Sequence, residues 1–205
     1  MGPKRYDYAG TRVFLEHRSY QAEVAFLEDK SSKSVAGTSR LENGMQQAHS
    51  FGDKPKEICS VDCRICKEST SPAYKLTIDD SELKWLRSKG HFLSVGAAVI
   101  SCRNGRAPDG LVADAHLADG FLHLILIKDC PRPFYLWHLT RLTRKGSNPL
   151  DFAFVEHHKT QAFTFVSTGD KESAWNVDGE LFQARKVSVQ VFQGLVSLFA
   201  AGPEY

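Results

Sequence analysis

Net charge is almost absent: 26 basic residues stand against 24 acidic ones, leaving +2 in a chain of 205. Binding to nucleic-acid phosphates draws on stripes of Lys and Arg, and none stands out beyond Arg141, Arg144 and Lys145. Nucleic acid is therefore set aside as a partner. Long apolar runs are missing too, since the longest, Phe92 to Cys102 and Gly120 to Ile127, fall short of the ~20 residues that cross a bilayer as a helix. Met1-Gly2-Pro3-Lys4-Arg5 opens into no apolar segment, so no secretory signal is expected. The five cysteines are then expected as thiols or metal ligands in a reducing compartment. Glycine-dense loops are also scarce. Val95-Gly96-Ala97 and Asn104-Gly105-Arg106 have neither the glycine spacing nor the following helix that cradles phosphate on backbone N–H groups.

What is there reads as mainly β. Arg12 to Glu16 and Tyr20 to Leu27 are expected to pair as a hairpin across His17-Arg18-Ser19, with Val24 and Phe26 on one face. From Glu28 to about Lys56 few apolar residues are available for burial, and a flexible insertion is expected over about 28–56. A turn is expected at Ser88-Lys89-Gly90, then a strand from Phe92 to Ser101. Leu122 to Ile127 is apolar on both parities apart from His123, which marks an interior strand covered on both faces. Pro131 and Pro133 open a helix over Phe134 to Arg144, with Tyr135, Leu139 and Leu142 as its stripe and Arg141, Arg144 and Lys145 toward water or the helix end.

Further strands are expected over Phe152 to Val155, Gln161 to Val166, Gly179 to Phe182, Val187 to Phe192 and Leu195 to Ala200, with a bulge or bend at Gln193-Gly194. Solvated imidazoles are expected at His157 and His158. Many short strands with one principal helix suit a mainly β (α+β) fold, a two-layer antiparallel β-sandwich forming one domain over residues 1–205.

Two groups of residues carry chemistry. In Trp175-Asn176-Val177-Asp178-Gly179-Glu180 a sharp turn presents two carboxylates on either side of a glycine. The pair suits magnesium-bound phosphate or a substrate hydroxyl; the alternative is a hairpin turn with two solvated acids. In Cys59-Ser60-Val61-Asp62-Cys63-Arg64-Ile65-Cys66 three thiols can converge on one Zn²⁺. A closed site then needs a fourth ligand, with His49, His91, Cys102 or a residue outside the chain as candidates, and three unligated loop thiols remain the alternative.

The run Ala115-His116-Leu117-Ala118-Asp119-Gly120-Phe121 into Leu122 to Ile127, followed by Trp175 to Glu180, resembles the C-terminal half of the diacylglycerol kinase-like lipid kinase domain that sphingosine and ceramide kinases share. Arg5-Tyr6-Asp7-Tyr8-Ala9-Gly10, the Cys59, Cys63 and Cys66 triplet and Asp151-Phe152-x-Phe154-Val155-Glu156 resemble ceramide kinases, the plant enzymes above all. The resemblance implies the same β-sandwich lobe, with an ATP-binding domain carrying a Gly-Gly-Asp-Gly-type loop that does not occur in this chain.

It further implies transfer of the γ-phosphoryl group of ATP to the primary hydroxyl of ceramide, giving ceramide 1-phosphate, with Mg²⁺ as cofactor. Glu180 is then the proton acceptor or part of the magnesium network, Asp178 orients water or nucleotide, and Gly179 lets the backbone approach closely. Related bacterial kinases hold a structural Mg²⁺ where this chain has Asp119 (carboxylate) and His116 and Phe121 (backbone carbonyls). A plain turn at Asp119-Gly120 into the next strand is the alternative. The cysteine triplet is implied to support the lipid-binding region, and the location to be cytoplasmic, peripheral to membranes. The isolated chain is expected to be inactive; a catalytically dead lipid-binding or regulatory fragment, or a small zinc-stabilised interaction domain, are the competing readings.

Overall fold

The computed structural model describes residues 15–28, 84–169 and 172–196. The insertion over about 28–56 lies outside them apart from Glu28, as do the Cys59 to Cys66 loop and the Arg5 to Gly10 phrase. Eight strands and one principal helix are named among the described residues: β1 (Tyr20–Leu27), β2 (Trp85–Ala98), β3 (Leu122–Lys128), α1 (Arg132–Leu142), β4 (Val155–Thr160), β5 (Ala162–Ser167), β6 (Ser173–Val177), β7 (Glu180–Ala184) and β8 (Lys186–Gln190). Six strands form one antiparallel sheet in the order β4-β3-β2-β1-β5-β8, and β6 and β7 form a separate two-stranded ribbon. The fold is thus the mainly β, antiparallel class with one principal helix.

Alternation along the strands builds a different core on each face of the sheet. One face buries Ala22, Val24 and Phe26 of β1, Phe92 of β2, Leu122, Leu124 and Leu126 of β3, and Phe163 and Phe165 of β5. Trp175 of the ribbon and Val187 and Val189 of β8 pack against this cluster. On the other face Ala98, Val112, Ile125 and Ile127 are buried under Tyr135 of α1 and Leu150 and Phe154 of the segment that follows it. β3 contributes to both clusters, so six of its seven residues are buried, as its unbroken apolar run requires. A register shift between Phe92 and Ser94 adds one residue to β2. The bulge changes parity, so that Val95 joins the face already occupied by Phe92.

Several local expectations give way to tertiary pairing. Tyr20–Leu27 does not fold back on the segment before it; it pairs with β2 on one side and β5 on the other, while Leu15 and Glu16 are helical and 12–14 lie outside the described residues. His17 takes a positive φ of 43° and bonds through Nε2 to the Cys130 carbonyl at 2.7 Å, tying this segment to the entry of α1 instead. No turn forms at Ser88-Lys89-Gly90, which pairs in register with Val24, Glu23 and Ala22. There Glu23 is gripped by Arg87 at 2.7 Å and Lys89 at 2.8 Å, and those charges hold the side chain on an open part of the sheet.

α1 starts two residues before the expected Phe134, because Pro131 caps it and a proline is tolerated within the first turn, where the missing N–H has no partner to lose. Its stripe of Tyr135, Leu139 and Leu142 is half-buried, but its one fully buried side chain is His138. Arg141 is half-buried too, with its guanidinium 5.9 Å from the Trp137 ring centre and 5.8 Å from that of Phe152. Phe152 and Phe154 are not in a strand: they run beneath α1, stacking their edges around His138, and the strand begins only at Val155. Leu195 and Val196 form a bend, and 197–200 lie outside the described residues.

Candidate functional site

The two carboxylates stand at the tip of the β6–β7 ribbon. Val177 pairs directly with Glu180, leaving Asp178-Gly179 as a two-residue loop with φ of 50° and 98°. Positive φ at both positions is the type I′ condition, whose twist matches the flanking strands. Asn176 Oδ1 accepts a hydrogen bond from the Gly179 N–H at 2.9 Å and closes the turn. Nothing lies within 4 Å of a side chain built at Gly179, so glycine is needed there for its backbone angle and not for space.

The base of the ribbon is anchored. Trp175 meets Phe165 edge-on at 5.0 Å, its Nε1 donates to Ser173 Oγ at 2.9 Å, and that hydroxyl donates to the Ala184 carbonyl at 2.8 Å. Opposed residues share a face, and so do residues two apart. Glu180 is therefore on the same face as Trp175. Asp178 and Glu180 are both solvent-exposed, between Val177 and Leu181, which are themselves largely exposed. The arrangement is a rigid post that holds two acids out from the sheet beside apolar surface; it can accept a proton or bind hydrated cations through either carboxylate.

The segment before β3 is built around Asp119. Its Oδ1 accepts from the Phe121 N–H at 2.9 Å, and the Asp119 N–H reaches the His116 carbonyl at 3.3 Å. His116 Nδ1 accepts from the Ala118 N–H at 3.1 Å, so its ring serves the turn. Gly120 has φ 75°, and a Cβ there would stand 2.9 Å from Gln193 Oε1, whose amide nitrogen donates to the Ala118 carbonyl at 2.7 Å. The backbone angle favours glycine at 120, whereas the Gln193 contact is with a flexible side chain that can shift.

The other carboxylate oxygen, Asp119 Oδ2, is buried and receives no aligned hydrogen bond; its partner is the Lys159 ammonium at 2.8 Å, which also lies 4.7 Å from the Phe121 ring centre. With the carbonyls of His116 and Phe121 the set offers one carboxylate and two backbone oxygens, and an ion at Oδ2 would have to displace the ammonium already there. Among the described residues no three His, Cys, Asp or Glu side chains converge as a metal site. Cys59, Cys63, Cys66 and His49 lie outside the described residues, whereas His91 is exposed on β2 and Cys102 is an exposed free thiol.

Sequence reasoning missed a histidine cluster. His157 and His158 lie within β4, on opposite faces; His157 is exposed, as expected, while His158 is half-buried. His157 Nε2 is 2.8 Å from His123 Nδ1 of β3, and His158 stacks on Phe26 at 4.0 Å. Burial pushes all three imidazoles below the ordinary histidine value, His157 to about 4, with the neighbouring His123 adding to the effect on His157. Burial likewise lowers His138, whose Nδ1 is 2.8 Å from the Pro149 carbonyl. Adjacent histidines in a short polar strand gave no periodic signal; only pairing with β3 half-buries His158 and sets the exposed His157 against the buried His123. A separate open groove of about 500 Å³ lined by His17, Asp129, Cys130, Pro131 and Arg132 lies at the entry of α1 and contains neither acid of the turn.

The ceramide kinase C-terminal domain family matches residues 54–169. The chain is similar over its whole length to a ceramide kinase of Oryza sativa subsp. japonica (61% identical, covering 35% of that protein) and to one of Arabidopsis thaliana (55%, covering 34%). A human ceramide kinase is 29% identical, again over the whole chain and 42% of that protein. The chain spans about a third of the length of the plant relatives.

Proposed function

The chain belongs to the ceramide kinase family, and from that premise we propose that it is the C-terminal part of a lipid kinase that phosphorylates ceramide on its primary hydroxyl, with ATP held by a domain outside these residues. The observation that carries the reading is the type I′ turn presenting Asp178 and Glu180 from an anchored ribbon. Magnesium-bound ATP, when present, supplies the electrophilic phosphorus and offsets the charge of the transferring group.

In this reading Glu180 accepts the proton of the ceramide hydroxyl as its oxygen bonds to the γ-phosphorus and the bond to the β–γ bridging oxygen breaks, releasing ADP and ceramide 1-phosphate. Asp178 orients water or nucleotide across the turn. Phosphoryl transfer passes through a loose transition state, so holding the two reactants in line matters more than the strength of the base, and a turn with little backbone freedom suits that task. Asp119 and Lys159 take no part in the chemistry; the internal ammonium serves the loop where Mg²⁺, bound through Asp119 and the carbonyls of His116 and Phe121, would otherwise do so. Cys59, Cys63 and Cys66 form a structural zinc or thiol loop that supports lipid binding, and the whole protein acts from the cytoplasm at a membrane surface.

The test is an assay of the complete protein and of the 205-residue chain with labelled ATP and ceramide. Ceramide 1-phosphate is expected from the first and not from the second, which has no glycine-rich loop for the nucleotide phosphates. Turnover by the short chain above a boiled control overturns the division of labour, and no turnover by the complete protein overturns the activity.

A further inference from the structure

α1 is apolar on the side turned away from the protein as well as on the side turned in. Tyr135, His138, Leu139 and Leu142 are buried or half-buried, whereas Phe134, Leu136 and Trp137 are 50%, 48% and 51% exposed. A helix that is apolar all round is normally enclosed, and this one is not. Trp137 is nevertheless held firmly, edge-on to Phe152 at 5.6 Å and under the guanidinium of Arg141. Half of its indole is presented to the outside by a fixed support.

The charge within the helical stretch itself has one sign. From Pro131 to Gly146 there is no acidic residue, while Arg132 precedes the apolar group and Arg144 and Lys145 follow it, all three exposed. Asp109 is bonded to the end of this stretch, its Oδ2 accepting from the exposed Gly146 N–H at 2.5 Å. Asp129 and Asp151 lie beyond its two ends. A protein partner would match three cations with acids; a surface of anionic headgroups matches cations and takes Trp, Phe and Leu at the boundary of its hydrocarbon at the same time. Among the described residues no helix is long and apolar enough to cross a membrane, so contact through this helix would be in the plane of the interface.

We propose that the outer side of α1, with Trp137 outermost, Phe134 and Leu136 on its two flanks, and Arg132, Arg144 and Lys145 around them, docks on an anionic lipid surface. The face lies on the helix layer, separate from the ribbon that carries Asp178 and Glu180. The proposal deepens the lipid-kinase reading by naming the surface that meets the membrane, and vesicle binding is scored without turnover, so either can fail while the other stands.

The experiment is flotation of the complete protein with phosphatidylcholine vesicles and with vesicles enriched in phosphatidylserine. Two variants are compared with the parent, Leu136→Ser/Trp137→Ser and Arg144→Glu/Lys145→Glu. Parent binding is expected on the anionic vesicles, and each variant is expected to lose at least about tenfold in partition. Brominated lipid is expected to quench indole emission in the parent and not in Trp137→Phe. If the apolar variant unfolds, the charge reversal decides alone, since both its side chains are exposed. A folded Arg144→Glu/Lys145→Glu protein that floats like the parent, or emission from Trp137 that brominated lipid leaves untouched, overturns the proposal.

Discussion

His123 Nδ1 and His157 Nε2 lie 2.8 Å apart between neighbouring strands, with the rings stacked at 5.1 Å and 19° to one another. One proton serves both nitrogens, and burial opposes a second. His123 Nε2 is itself buried without a partner, and the charges that reach the pair are Asp114, Asp119, Lys159 and His158. The folded state therefore prefers the uncharged pair.

Stability is expected to fall in acid. His157 titrates near 4 in the fold against about 6.5 in an unfolded chain, so between those values the unfolded state binds the extra proton and unfolding is favoured. Above pH 6.5 both states are uncharged and this contribution is constant; it is lost as the pH falls from 6.5 toward 4. His123, His138 and His158 shift the same way and reinforce it. Melting temperatures from pH 8 to pH 4 are the check, and His157→Gln is expected to flatten the slope. A parental curve level from pH 6.5 to 4.5 would remove this account.

At the acid turn, Glu180→Gln in the complete protein is expected to slow turnover by on the order of 10²-fold with ceramide binding nearly unchanged, because shape and turn are kept while the charge is lost. Asp178→Asn is expected to do less. Gly179→Ala, at φ 98°, is expected to lose about 1 kcal/mol of stability as well. Parental turnover by Glu180→Gln at saturating ATP and ceramide would leave the turn merely structural.

Lys159→Met is expected to destabilise the protein by roughly 1–2 kcal/mol, less than a fully buried pair because Lys159 is partly solvated. It uncovers the buried oxygen of Asp119, so millimolar Mg²⁺ is expected to raise the melting temperature of the variant and leave the parent unchanged. A parent that melts lower in EDTA and recovers with Mg²⁺ would show that the divalent ion, not the lysine, serves the loop.

For the cysteine loop, Cys63→Ser is expected to release bound zinc and lower the melting temperature together. Elemental analysis of parent and variant decides: no zinc in either, with equal melting, removes the metal from the account.

Much was legible in the sequence because it depends on neighbours in the chain. An Asp-Gly pair flanked by apolar residues turns a hairpin whatever surrounds it, since the backbone angles are set by glycine and by the adjoining strands. A run apolar on both parities, as in Leu122 to Ile127, has to be covered on both faces, and two prolines close together open a helix within a residue or two of where they stand. What the tertiary structure decided depends on partners far along the chain. Tyr20–Leu27 has the pattern of a strand but no information on which strand it joins, and β2 with β5 bury it better than the segment next to it. Ser88-Lys89-Gly90 looks like a turn until Glu23 is brought opposite Lys89. His157, His158 and Lys159 read as a polar stretch until pairing with β3 sets one imidazole against His123, stacks the next on Phe26 and places the ammonium at Asp119. Burial and charge pairing are properties of the assembled sheet, so no local pattern could carry them.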